Sequence, residues 1–137
     1  MNGSRDTSDG PGYVDWPLWD NAIANQGIEI ERPHGSPHPD HPSIIYPIDY
    51  GFVRGTISAD GHAVDIFVGS DADAGLVAAI FTVDHRKGDR EVKLIFNCTP
   101  EEVYLVNGFI NFDPDLMTGR LLMRRPMKEL WSRKRRI

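Results

Sequence analysis

Short apolar stretches separated by polar turns recur along this chain, some with the two-residue period of half-buried strands and others as nearly unbroken apolar runs. In residues 27–32, Ile28 and Ile30 alternate with Glu29 and Glu31, which predicts a first strand. Strands are expected at 49–56 and 63–68, around the turn signal Asp60-Gly61. Two more, at 75–84 and 90–97, are joined by the polar turn 85–89, and a last one at 119–125 stops before Pro126. Helical signals are fewer. Asp15-Trp16-Pro17 opens a short helix, with Pro17 in the first turn, Gly27 beyond its end, and Trp16, Leu18 and Trp19 as anchors. Thr99-Pro100-Glu101-Glu102 is the clearest start, with an N-cap, a proline at N1 and two acids in the first turn. Val103, Val106 and Ile110 follow at core spacing, and the helix ends near Asn111. Pro33, Pro37, Pro39, Pro42 and Pro47 forbid a regular helix or a central strand over 33–47 and leave an ordered, extended loop. Many short strands with little helix predict a mainly β fold, a small closed or partly open barrel with flanking helices.

Length and composition bound this picture without changing it. The 137 residues suffice for one domain, expected over 13–137, after a leader 1–12 too poor in apolar anchors to be ordered. Hydrophobic residues make up 40% and charged ones 26%, a globular balance. No apolar run approaches the roughly 18 residues of a membrane span, and no basic-then-apolar leader opens the sequence. The lone Cys98 excludes an intrachain disulfide. A soluble, cytoplasmic protein is expected, with no membrane partner.

Charge is unevenly spread. Residues 1–119 carry 7 Lys and Arg against 19 Asp and Glu, whereas 120–137 carry 8 against the single Glu129. An acidic body attracts cations and repels polyanions, which argues against nucleic acid as the main ligand. The basic run Arg133-Lys134-Arg135-Arg136 reads as a solvated tail or as a partner for the acidic body.

Several of those acids fall inside apolar strands. Asp65 interrupts Ala63-Val64-Asp65-Ile66-Phe67-Val68, where an ionised carboxylate must face solvent or meet a cation. Alternation puts Val92, Leu94 and Phe96 on one face of their strand and Glu91, Lys93 and Ile95 on the other. Asp84 stands where a strand meets its turn. Two readings are open: polar positions on the outside of a barrel, or Asp60, Asp65, Asp84, Asp89 and Glu91 lining one cavity. Clustered carboxylates with water suit hard divalent cations such as Mg²⁺ or Mn²⁺, and Lys93 among them would be a point charge for phosphate.

Three segments carry a resemblance. Glu31-Arg32-Pro33-His34-Gly35-Ser36, Tyr46-Pro47-Ile48-Asp49-Tyr50-Gly51-Phe52 and Asp60-Gly61-His62-Ala63-Val64-Asp65 resemble the soluble family I inorganic pyrophosphatases, most closely their short, divergent members. That family carries Tyr-Pro-x-x-Tyr-Gly at a fixed distance before Asp-x-Asp-Pro-x-Asp, and Tyr50 precedes Asp60 by ten residues, which fits that spacing. Asp84 and Glu91-Val92-Lys93 look like the family's downstream Asp and Asp-x-Lys, so the resemblance covers roughly residues 28–97. It implies an OB-like five-stranded β-barrel with one or two flanking helices, and Mg²⁺-dependent hydrolysis of pyrophosphate to two phosphates. It also implies Asp60, Asp65, Asp84 and Glu91 as metal ligands, and Tyr50, Lys93 and Glu31 at the substrate or its acid network. Possible homo-oligomers follow from the same family, with Trp16 and Trp19 as candidates for an interface.

Four departures accompany it. His62 replaces the middle Asp of the box, the family's proposed base; histidine titrates near neutral pH and can accept that proton, but it removes a negative charge from the site. Ala63 replaces the box proline. A Lys-x-Glu and an Arg expected between 36 and 46 are missing, with His38, Pro39 and His41 near those places. The late Tyr-Lys phosphate pair is also missing, which leaves Arg120, Arg124 or Arg125 as substitutes, Arg124 being the one assigned to substrate binding here. The expected activity is therefore pyrophosphate hydrolysis with His62 as base. The rival expectations are another small phosphate compound as substrate, or a non-catalytic barrel that binds a metal or a phosphate. The remaining histidines, His34 and His85 among them, read as loop residues, since the prolines prevent the helical His-x3-His arrangement of zinc sites. Cys98 reads as a buried small residue.

Overall fold

A computed structural model describes residues 13–57 and 61–134. The expected leader 1–12, Asp60 and the end of the basic tail lie outside the described residues. Helix α1 (Trp16–Gln26) starts where Asp15 accepts a hydrogen bond from the Leu18 N–H at 3.2 Å, and stops at Gly27, whose φ of 81° suits a residue without a side chain. Strands β1 (Ile28–Arg32), β2 (Asp49–Val53), β3 (Asp65–Val68), β4 (Leu76–Asp84) and β5 (Arg90–Phe96) follow, then α2 (Pro100–Ile110), β6 (Met117–Met123) and α3 (Met127–Lys134).

The six strands form one sheet in the order β1-β2-β3-β5-β4-β6, antiparallel except for the β3–β5 pair. It has six strands rather than five and does not close, since the hydrogen-bonded order begins at β1 and ends at β6. The described residues form three helices. The third was not expected, and it ends in the basic run at Arg133 and Lys134: after Pro126, Met127 and Leu130 pack on the core while the charged residues between them stay outside. A short amphipathic turn buried on one side is enough to hold helix in a charged segment.

Both faces of the sheet are covered. On one, Val53, Val64, Ile66, Ala79, Phe81 and Leu94 pack with Trp16, Trp19 and Ile23 of α1. On the other, Phe67, Ala78, Ile80 and Ile95 pack with Val103, Val106 and Ile110 of α2 and Leu130 of α3. Strand alternation thus splits β3, β4 and β5 between two cores, which explains why their runs read as nearly continuous apolar sequence.

Helix α2 is fixed at both ends. Thr99 and Glu102 form a reciprocal capping box, and Glu102 Oε1 also accepts from the Ser70 N–H at 3.1 Å, which ties the helix start to the chain leaving β3. Those N–H donors hold the Glu102 carboxyl below its ordinary pKa although burial acts in the opposite direction. At the other end Asn111 exchanges two hydrogen bonds with the Gly119 backbone, at 2.9 and 3.2 Å, and docks β6 on the helix.

The proline-rich segment is an ordered loop. It folds back on itself through a Pro37–Ile45 bridge and through backbone bonds between Gly35 and Tyr46, Ser36 and Tyr46, and His38 and Ile44.

Candidate active site

The face of the sheet that carries α2 changes character beyond the helix. Tyr50 on β2, Asp65 on β3 and Lys93 on β5 point from that face and meet. Lys93 Nζ donates to Asp65 Oδ2 at 2.7 Å and to Tyr50 Oη at 3.1 Å, and Tyr50 Oη donates to the same Asp65 oxygen at 2.5 Å. Glu91, two residues before Lys93 on the same face, pairs with its ammonium at 3.6 Å. The three ammonium donors of Lys93 thus face three oxygens. The lysine is 7% exposed, yet it is held charged. Burial alone would lower its pKa, but the surrounding Tyr50, Asp65 and Glu91 oxygens raise it well above the ordinary lysine value. Tyr50 is driven upward first by burial, with the Asp65 carboxylate adding to the shift, so its hydroxyl stays protonated and donates.

This network lies in the wall of a cavity of about 1420 Å³ bounded by the sheet, the 33–47 loop and α2 with the chain that follows it. Asp65, Asp84, Asp89 and Glu91 all line that cavity, so four of the five acids left open between a barrel exterior and one cavity share the cavity, and the fifth, Asp60, lies outside the described residues. Glu31 and His62 line it as well, His62 from an exposed position. Asp84 Oδ1 accepts from the N–H groups of Arg86 and Lys87, at 3.0 Å each, and so shapes the β4–β5 turn at the cavity edge.

Arg124 is not brought here. Its guanidinium holds both carboxylate oxygens of Asp20, at 2.8 and 2.9 Å, and lines a separate cavity beside α1 and α3. The cations that do line the acidic cavity are Arg32, Arg86 and Lys87, besides Lys93. Arg32 lies 5.4 Å from the centre of the Tyr46 ring and donates to the Tyr46 hydroxyl at 2.5 Å. Burial opposes its charge, but that bond and the nearby tyrosines raise its pKa overall. Tyr46 in turn packs on Tyr50 and Phe109, with ring centres 5.1 and 5.0 Å apart, and His38 stacks on it from the loop. His38 is held below the ordinary histidine pKa, by burial first and then by Arg32 and His41. The parts played by Arg32 and Tyr46 were missed by sequence reasoning, although Arg32 stands between Glu31 and Pro33 in a segment already singled out. Nothing local announces that its partner lies fourteen residues on.

The cavity offers oxygen donors of the kind that hard cations take. Among the described residues, no group of three His, Cys, Asp or Glu side chains is close enough to hold an ion by itself. The carboxylates of Asp65, Asp84, Asp89 and Glu91 are oxygen donors of the kind that Mg²⁺ takes alongside water and substrate phosphate oxygens.

The fold and this arrangement define a class, an OB-like β protein with an acidic cavity and a buried lysine against one face of its sheet. Solved structures with the same fold are inorganic pyrophosphatases. The chain superposes on an inorganic pyrophosphatase from Neisseria gonorrhoeae with a TM-score of 0.56 at 14% identity, over 79% of this chain and 86% of that one. It superposes on an inorganic pyrophosphatase from Helicobacter pylori with a TM-score of 0.51 at 19% identity, over 77% and 88%. A structure described as an inorganic phosphatase from Anaplasma phagocytophilum gives 0.51 at 17% identity, over 75% and 86%. No family model and no curated protein matches the sequence. The chain has the inorganic-pyrophosphatase fold.

Proposed function

We propose that this protein hydrolyses inorganic pyrophosphate to two phosphates with the help of Mg²⁺, or of Mn²⁺ in its place. The observation that carries the reading is the Tyr50–Asp65–Lys93–Glu91 network in the wall of a cavity that also gathers Asp84, Asp89, Glu31 and His62. Asp60, Asp65, Asp84 and Glu91 would hold the metal, which when bound neutralises substrate charge and acidifies its water.

The chain's own residues supply the rest. Lys93 pairs with Asp65 and Glu91 and so offsets the cost of placing these carboxylates in a largely buried wall. The Tyr50 hydroxyl fixes the orientation of Asp65. His62, exposed at the cavity and standing in the acidic box, takes the proton of the attacking water. Arg32, Arg86 and Lys87 replace the basic residues that the sequence lacks and meet phosphate oxygens.

The test is phosphate release from pyrophosphate at saturating Mg²⁺ between about pH 5.5 and 9, with Asp65→Asn beside the unmodified protein, the range being chosen to span histidine titration. Metal-dependent release that Asp65→Asn abolishes is expected. Release no higher than that of the folded Asp65→Asn variant would exclude pyrophosphate as the substrate, and would move the reading to another phosphate compound or to a binding role.

A further inference from the structure

The charged residues occupy only part of the cavity lining. Helix α2 buries Val103, Val106 and Ile110, but on another face it presents Tyr104, Leu105 and Phe109 to this same cavity, and Phe112 continues that face past the helix end. Ile45 of the proline-rich loop joins them. Phe109 is partly buried against the core, whereas Phe112 is 81% exposed, Tyr104 58% and Leu105 51%. Gly108 lies in the middle of the face, with open space where a Cβ would stand. Inorganic diphosphate has no apolar atom to cover such a wall. The cavity volume of about 1420 Å³ also exceeds the roughly 300–1,000 Å³ usual for small-molecule sites. An apolar group laid against these side chains removes them from water and gains affinity.

We propose that the preferred occupant is a diphosphate monoester, with its diphosphate among Arg32, Arg86, Lys87 and the acids, and its apolar or aromatic group on the α2 wall. The complementarity is twofold: one end of the ligand is anionic and one apolar, and the cavity has one lining of each kind. The α2 wall itself offers the side chains of Leu105, Phe109 and Phe112 and the ring of Tyr104, so it favours a ligand with an apolar or aromatic group. The proposal rests on the hydrolytic reading above, keeps its reaction, and changes the preferred substrate from inorganic pyrophosphate to an ester of it. In the reaction, the water oxygen bonds to the terminal phosphorus and the bridging P–O bond breaks. The electron pair leaves with the monophosphate ester, and the water's proton is released to solvent, giving orthophosphate and the ester.

The experiment compares kcat/KM of the full chain in Mg²⁺ for four probes: inorganic pyrophosphate, methyl diphosphate, geranyl diphosphate and ADP. At least a tenfold preference for geranyl diphosphate or ADP over methyl diphosphate is expected, and which of the two leads tells whether the group is aliphatic or a planar base. Phe112→Ser and Leu105→Ser, both at exposed positions, are expected to shrink that preference severalfold with circular dichroism unchanged. Turnover of pyrophosphate with no preference between methyl and geranyl diphosphate or ADP overturns the inference and leaves the hydrolytic reading intact. No turnover of any diphosphate removes both. Serine variants that split an oligomer in light scattering while the probe preference stays the same would show the wall to be a contact between copies, and would also overturn the inference.

Discussion

Lys93 Nζ lies 2.7 Å from Asp65 Oδ2, across neighbouring parallel strands and 28 residues apart in sequence. The ammonium is nearly buried and the carboxylate side chain keeps 23% of its exposure, so each ion depends on the other for compensation. Removing one partner should cost more than the pair contributes. Lys93→Met is expected to destabilise the fold by about 3 kcal/mol, the low end for a broken buried pair because Asp65 retains some water. Adding Asp65→Asn to that variant should restore part of the loss. Urea denaturation of the two single variants and the double one measures the coupling, and additive losses would show that the pair is not energetically linked.

The same lysine sets a pH signature. Its folded pKa is raised, so its contribution is complete below the ordinary lysine range and is lost only as pH rises through the higher folded value. The stability difference between the unmodified protein and Lys93→Met should therefore stay flat between about pH 6 and 9. A difference that shrinks within that window would mean that the lysine titrates there.

Glu102 has the opposite sign. Its folded pKa is lowered by the N–H groups of Thr99 and Ser70, so its contribution is present above the ordinary carboxylate range and fades as pH falls toward the lowered value. Glu102→Gln should cost about 1 kcal/mol near neutral pH, as the loss of a helix cap does. In acid-unfolding curves the variant and the unmodified protein should converge as the pH drops through the carboxylate range.

Gly51 belongs to the Tyr-Pro-x-x-Tyr-Gly segment, and its role is spatial. A Cβ there would stand 1.9 Å from the Glu29 carbonyl oxygen and 2.8 Å from the Ile30 Cα. This β1 backbone cannot give way without parting β1 from β2, which pair at Ile30 and Gly51 beside a bulge. Gly51→Ala is expected to destabilise by about 3 kcal/mol, the upper part of the range for overpacking. It should also disorder the edge strand next to Tyr50. Hydrogen exchange of the β1 amides reads this directly, and unchanged protection would refute it.

Cys98 is fully buried, and its thiol pKa is pushed up first by burial and then by the Glu102 carboxylate. A thiol with little thiolate and no access does not react. Labelling by a thiol reagent near pH 8 should track global unfolding, with no fast phase in native protein.

His62 carries the prediction most specific to this chain. It is exposed, so His62→Ala should fold normally. If it is the base, pyrophosphate turnover in Mg²⁺ should fall by about 100-fold or more, while substrate binding survives.

Most of the architecture is legible in the sequence because it is written locally. The N-caps at Asp15 and Thr99, the prolines of the 33–47 loop and the alternation of Glu91 and Lys93 with Val92 and Leu94 in β5 each fix φ/ψ or burial within a few positions. Alternation alone also puts Glu91 and Lys93 on one face, where they pair at 3.6 Å. Helix α3 escapes notice because its charged residues outnumber the few side chains that anchor it, and only docking against α2 and the sheet reveals which side is buried. Arg124 shows the limit most clearly. Any of the late arginines could reach a phosphate as far as sequence goes, and what decides is that Asp20 of α1, 104 residues away, lies within bidentate reach. Convergence of Asp65, Asp84, Asp89 and Glu91 on one cavity is likewise a property of strand order: β3 lies against β5, and β5 against β4. The sequence by itself determined which residues carry charge, where strands and helix starts fall, and which side of each strand an acid takes, because those follow from local geometry. Only the tertiary structure decided which of those charges meet, because distances between strands are set by sheet order and packing, which no local period encodes.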